Sequence, residues 1–221
     1  MVKLLTVGVF IMITTQVFSQ QYDTIIDSHY SWKELKKIFE SEYFDAKKNN
    51  FSEDEKHLIR RMLDSDLVLN EISYMGFDKR IHTGQIVCSK LVAPDLNNIF
   101  KELLTLRFPI EQITPVSQYD YTYNKSNDDN YTYCFDYRKE TSSNKRSNHS
   151  YGFALDINPV QNPYKSAGKT FPPNAREQLS TGRIRYTDPM GQKVIELFKK
   201  YGWSWGGDWK SVKDYMHFQK P

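Results

Sequence analysis

Apolar residues recur at helical spacing in four places along the chain. Trp32, Leu35, Ile38, Phe39 and Tyr43 mark a first helix, and Leu58, Ile59, Met62 and Leu63 a second. Leu96, Ile99, Phe100, Leu103 and Leu104 mark a third, and Val194, Ile195, Leu197, Phe198 and Tyr201 a fourth. Residues three and four apart share one face of an α-helix, so each stripe predicts one buried side. Start and stop signals agree. Ser31 with Glu34 and Ser52 with Glu55 have capping-box spacing. Pro94 falls in the first turn of the third helix; Asp188-Pro189 opens the fourth and Gly202 stops it.

Elsewhere the period is two. Tyr131, Tyr133, Phe135 and Tyr137 alternate with Thr132, Cys134, Asp136 and Arg138, which predicts a strand with Arg138 on the face opposite the aromatics. Phe153, Leu155 and Ile157 alternate with Ala154, Asp156 and Asn158, so Asp156 should point away from the core. Gly76 and Gly84 punctuate a turn-and-strand region containing the β-like run 85–88. Residues 110–119, 203–209 and 215–219 also read as strands. Residues 124–130 and 140–146 are polar loops. Pro159, Pro163, Pro172 and Pro173 predict a long irregular segment through about residue 185, of a length more typical of binding loops than of plain connections.

Composition bounds the function. The 221 residues are 39% hydrophobic, with 15 Tyr and 13 Phe, enough for one core. Met1-Val2-Lys3 followed by an apolar run from Leu4 to Ile13, then Val17 and Ser19, reads as a signal peptide over residues 1–19. The run is shorter than the about 20 apolar residues a membrane helix needs. The expectation is an exported protein, periplasmic or extracellular, with no stable membrane insertion after cleavage. The formal charge of +3 includes one lysine from that leader. A balance so small, without a Lys/Arg block longer than a pair, gives no argument for nucleic-acid binding. Cys88 and Cys134 could pair in an oxidising compartment, stabilising by about 4 kcal/mol, or remain buried thiols. Their spacing does not suit metal ligation. His29 and His57 read as surface or packing residues.

The chemistry gathers at two stretches, Ser147–Asn158 and Asp214–Phe218. A histidine in a loop (His149), a carboxylate on the following strand (Asp156) and a histidine near the C-terminus (His217) can converge on one ion. Two neutral imidazoles and one carboxylate leave Zn²⁺ formally +1, able to bring a bound water from about 16 towards ~7. Asp214, three residues before His217, would be the base. It is shorter than a glutamate by about 1.5 Å, so its backbone must approach closely. Arg138 is the cation expected in the cleft. Ser147 could orient a ligand by hydrogen bonding, and Trp205 and Asp208 complete the candidate set as groups near ligands or substrate.

Ser147-x-His149-Ser150-x-Gly152-x-Ala154-x-Asp156-Ile157-Asn158-Pro159-x3-Pro163-Tyr164 and Gly202-Trp203-x-Trp205-Gly206-Gly207-Asp208-Trp209-x4-Asp214-x2-His217-Phe218 resemble the D-alanyl-D-alanine carboxypeptidase / L-alanyl-D-glutamate endopeptidase family of zinc peptidases, the VanY-like enzymes. The resemblance covers about residues 76–219. It implies His149, Asp156 and His217 as zinc ligands, Asp214 as general base, Arg138 as the carbonyl-polarising arginine, and peptidoglycan stem peptides as substrate. Where the family pattern usually has Asn, this chain has Asp136, which would weaken the arginine's field if it faced the site. The implied fold is α+β: a small antiparallel sheet with flanking helices and the zinc site on the sheet. Residues 76–221 form that domain, with a helical segment, 20–75, packed on it. Two readings compete. One is a peptidase acting as carboxypeptidase or endopeptidase, with Arg138, Lys165 or Arg183 meeting a terminal carboxylate. The other is a non-catalytic zinc-stabilised binding domain, a use that the similar hedgehog signalling domain illustrates. A zinc amidase cutting the sugar–peptide junction is a third. Oligomeric state is left open.

Overall fold

The structure is a computed structural model and describes residues 24–27, 29–45, 50–115, 130–140 and 143–221. The expected leader, residues 116–119 of the expected strand and loop residues 124–129 lie outside the described residues.

Both capping boxes form. Ser31 Oγ accepts from the Glu34 N–H at 3.2 Å and the Glu34 carboxylate accepts from the Ser31 N–H at 2.8 Å, opening α1 (Trp32–Ile38). Ser52 and Glu55 do the same at 3.3 and 3.0 Å, opening α2 (Glu53–Ser65). The first helix widens into a π-turn at Phe39–Tyr43, which keeps Phe39 and Tyr43 buried.

A four-stranded sheet has the order β1-β3-β2-β4. It comprises β1 (Ile25–Ile26), β2 (Leu67–Gly76), β3 (Ile81–Ser89) and β4 (Pro109–Ile110). Strands β2 and β3 form an antiparallel hairpin from Leu67 opposite Ser89 to Met75 opposite Ile81. Residues 67–75, expected within the helical segment, are therefore strand. Val68, Ile72 and Tyr74 favour a pleated surface once a partner strand rich in Ile and Val lies alongside. Helix α3 (Ala93–Thr105) buries Leu96, Ile99, Phe100 and Leu103 in the core shared with this sheet.

Two expected strands are shorter than their patterns. Residues 110–113 break into β4 and β5 (Gln112–Ile113), with the intervening Glu111 N–H bonded to Asn158 Oδ1 at 3.0 Å. Only Tyr131–Thr132, β6, pairs as a strand, parallel to β5. Beyond it the backbone changes partner repeatedly: Tyr133 with Asp156, Phe135 N–H with Val87 O at 3.0 Å, Asp136 N–H with His149 O at 3.1 Å. With no single ladder the two-residue alternation gives way, and Tyr131 through Phe135 are all buried.

Two small antiparallel sheets carry the C-terminal half. One, in the order β10-β12-β7, joins β7 (Ala154–Asp156), β10 (Ser204–Trp205) and β12 (His217–Gln219). The other, in the order β11-β8-β9, joins β8 (Tyr164–Ser166), β9 (Lys169–Phe171) and β11 (Lys213–Asp214). The stretch after Asn158 is thus not wholly irregular, since it holds the β8–β9 hairpin. Helix α4 (Pro189–Lys200) starts after Asp188, whose carboxylate is taken by Arg183 at 2.6 and 2.7 Å instead of capping the helix. The described residues form a mixed α/β fold with four α-helices and small sheets. Among the described residues no helix is long and apolar enough to cross a membrane.

One apolar cluster joins α3, α4 and the inner residues of β2, β3, β7 and β12. A second packs Leu35, Phe39, Tyr43 and Ile59 of the N-terminal helices against Leu67, Val87, Phe135 and Tyr137. Cys88 and Cys134 are buried free thiols, and burial pushes Cys88 up to about 12.

Candidate metal centre

Ser147 ends an extended approach and its Oγ accepts from the His149 N–H at 3.3 Å, starting a 3₁₀ turn over Asn148–Tyr151. Gly152 closes that turn at φ +69°, the left-handed region where a side chain is strained. A Cβ there would meet Ser89 N at 2.5 Å and Cys88 C at 2.9 Å. Gly152→Ala is therefore expected to cost about 2–4 kcal/mol, from left-handed strain plus forced backbone displacement. Urea melts of the two proteins check this; equal midpoints would show that the turn relaxes freely.

After the turn the chain enters β7, where Leu155 and Phe218 are cross-strand partners facing the core and Asp156 is paired with His217. Register alone thus sets a carboxylate beside an imidazole. His149 reaches the same point from its turn. Its Nε2 lies 3.1 Å from His217 Nδ1 and 3.2 Å from Asp156 Oδ1, and His217 Nδ1 lies 3.0 Å from that oxygen. All three side chains are buried.

Each imidazole has an oxygen acceptor behind it. His149 Nδ1 is 2.6 Å from the Cys134 carbonyl, which can only accept, so Nδ1 carries the proton and Nε2 turns a lone pair inward. His217 Nε2 is 3.0 Å from Gln219 Oε1; with its proton held there, Nδ1 can turn a lone pair inward once an ion stands between it and Asp156. Two nitrogen lone pairs and a carboxylate oxygen then face one another, an arrangement that a cation at their centre relieves. The donor set, neutral imidazoles plus carboxylate with both imidazoles held from behind, suits zinc. Burial pushes the His149 imidazole down, against the pull of Asp156. Burial alone would raise Asp156, yet His149 and His217 hold it well below the usual carboxylate range. Burial pulls His217 down, but Asp156, joined by Asp214 and Gln219, raises it on balance.

Gln219 was not legible as a functional residue, though its place two residues after His217 on one strand put both side chains on the same face. The Cys134 carbonyl carries no side-chain signal at all. Gln219→Leu removes the acceptor behind His217 and is expected to weaken metal binding roughly 10–100-fold. Competition titration against a zinc chromophore measures it; unchanged affinity would mean the glutamine does not fix the ring.

Asp214 sits on β11 opposite Tyr164, which is in turn opposite Phe171 on β9. This row across three strands lines a cleft of about 350 Å³, whose other walls include Arg138, Trp209, Met216 and His217. Asp214 Oδ1 is sealed from solvent and has no hydrogen-bond partner among the described residues. Burial pushes its carboxyl up to about 7, with His217 and Arg138 pulling down and Asp156 pushing up. Arg138 reaches the cleft from the segment before the 3₁₀ turn. Its N–H donates to Ser150 Oγ at 2.9 Å, and its Nε lies 3.1 Å from Asp136 Oδ2.

The remaining sequence candidates divide between the cleft and other places. Ser147 lines the cleft. Trp205 is in the core, its Nε1–H donating to Tyr215 O at 3.0 Å, and Asp208 is outside the cleft, 2.7 Å from Lys199. A 3₁₀ turn at Gly206–Asp208 breaks the expected strand, so Trp209, with its ring 5.3 Å from that of His217, forms the wall instead. Lys165 is paired with Glu177 at 2.6 Å and Arg183 with Asp188; neither lines the cleft.

The site is thus a buried His/Asp/His cluster that could hold a metal, beside a sealed carboxylate in a cleft. Residues 141–220 match the family model described as D-alanyl-D-alanine carboxypeptidase, of the M15 zinc peptidases. That segment holds His149, Asp156, Asp214 and His217 and stops short of Arg138. No solved structure matches the chain.

Proposed function

We propose that the protein is an exported zinc metallopeptidase that hydrolyses peptide bonds in peptidoglycan stem peptides, as a D-Ala-D-Ala carboxypeptidase or an L-Ala-D-Glu endopeptidase. The observation that carries this reading is the convergence of three inward lone-pair donors beside the unpartnered Asp214 Oδ1. A binding module would need the donors but not the carboxylate. The family match over residues 141–220 supports the same substrate class.

His149 Nε2, His217 Nδ1 and an Asp156 oxygen would hold the ion, which supplies Lewis acidity and water of lowered pKa. The chain's own residues do the rest. Asp214 Oδ1, with no competing donor, accepts the proton of the attacking water and returns it to the leaving amine. Arg138 offers fixed N–H donors to the carbonyl oxygen as negative charge grows on it. Trp209, Tyr164 and Phe171 give the peptide apolar walls and exclude bulk water.

Digestion of purified sacculi by the zinc-loaded protein, with the fragments identified by mass spectrometry, tests the proposal. Release of terminal D-alanine, or of fragments cut within the stem, is expected. Intact stems overturn it, and cleavage only at the sugar–peptide junction replaces it with an amidase.

A further inference from the structure

Arg138 is tied to a part of the chain that lies outside the matched family segment. Tyr43 ends the π-turn that follows α1 and is buried. Its hydroxyl oxygen accepts from the Tyr137 N–H at 2.8 Å, which leaves its proton to donate to Asp136 Oδ1 at 3.3 Å. The other oxygen of that carboxylate, Oδ2, lies 3.1 Å from Arg138 Nε. The backbone on either side is fixed as well. Asp136 N–H donates to His149 O at 3.1 Å, and Ser150 Oγ joins the Arg138 N–H and carbonyl at 2.9 and 2.7 Å. Asp136 therefore stands between a helix-borne tyrosine and the arginine that lines the cleft, on a segment hydrogen-bonded to the 3₁₀ turn that carries His149.

We propose that Asp136, steadied by Tyr43, is a positioning residue for Arg138, and that the N-terminal helical segment thereby takes part in setting the cleft. This rests on the peptidase reading above. A guanidinium has two edges. The Asp136 carboxylate makes an ion-pair contact on the Nε side and the Lys139 carbonyl accepts from Nη1 at 3.3 Å, so together they set which edge of the planar group faces the cleft. The same carboxylate offsets part of the cation's charge, so orientation rather than raw field is what the pair supplies. The widened turn matters here: five residues of π-helix hold the Tyr43 ring in the second core cluster, 4.9 Å from that of Phe39, with its hydroxyl directed at residues 136–137.

The test is a double-mutant cycle on muropeptide turnover by the zinc-loaded full chain, with enzyme in excess so that a thousand-fold loss is still measurable. Wild type must turn over and Asp214→Ala must be slower by roughly a hundred-fold or more; failure there sinks the peptidase reading, not this inference. Given turnover, Asp136→Ala is expected to lower kcat/KM roughly ten- to hundred-fold, as misplacement of a reacting-site group does. In an Arg138→Ala background the same change is expected to alter it by about twofold or less, since the residue acts through the arginine. Asp136→Asn, which keeps an acceptor oxygen in place, should recover most of the loss. Zinc content and thermal midpoint are read for every variant. Should Asp136→Ala not fold, Tyr43→Phe goes through the same cycle with the same expectation of non-additivity. Equal losses in both backgrounds, or none in either, overturn the inference.

Discussion

Asp214→Ala is expected to lower peptide hydrolysis roughly 10²–10⁴-fold while leaving zinc stoichiometry at the wild-type value. The proposed base would move a proton, and His149, Asp156 and His217 draw their hydrogen bonds from other groups. Activity and stability should then part company. The Asp214 carboxyl is pushed up to about 7 by burial, while in the unfolded chain it titrates near ~3.9. Between those values the folded protein binds more protons than the unfolded one, so folding loses stability as pH rises through that window. Asp214→Asn removes this cost. In the metal-free protein it should gain up to about 4 kcal/mol at pH 8 and only about 0.5 kcal/mol at pH 4. Calorimetry at the two pH values reads the difference. Undiminished turnover by Asp214→Ala would end the assignment of the base, and a gain of the same size at both pH values would end the account of its ionisation.

Metal removal gives the second large effect. Chelation is expected to abolish turnover, and zinc, unlike magnesium, to restore it, because two imidazoles and a carboxylate favour a borderline-soft ion. Stability reports the same event independently. An ion bound only by the folded state adds about 2.7 kcal/mol at a free concentration 100 times its Kd, and each kcal/mol moves the midpoint of a domain this size by roughly 2–4 °C. His149→Ala should eliminate both the zinc-dependent rise in midpoint and the activity, since it takes away one of three donors and the ring that fills a fully buried site. Identical melting of the metal-free and zinc-treated wild type would refute the centre itself.

Much of this was visible along the chain. The capping boxes at Ser31–Glu34 and Ser52–Glu55 and the apolar stripes of all four helices are local features. They depend on spacings of three and four residues within one element, so reading them needs no knowledge of the partner. The convergence of His149, Asp156 and His217 was also anticipated, because a period-two strand shows which side Asp156 must leave. Less of the sheet structure could be read. The strand β2 looked like the end of a helical segment because its pattern becomes decisive only when β3 is laid beside it. The run 131–138 has a clear alternation, yet the backbone there bonds in turn to Asp156, Val87 and His149, three partners that no spacing reveals.

The sequence by itself determined the helices and their ends, since each of these is set by neighbours a few residues away, and it named the three side chains that cluster at the candidate centre. Tertiary structure alone decided how those side chains are held. It put the Cys134 carbonyl behind His149, Gln219 behind His217, Trp209 rather than Trp205 on the cleft wall, and Tyr43 within reach of Asp136. The physical reason is the range of the interactions. A helix cap is closed within one turn of chain, whereas the protonation of a buried imidazole and the direction of a guanidinium depend on whatever atom lies across the gap, and a distant part of the chain supplies it.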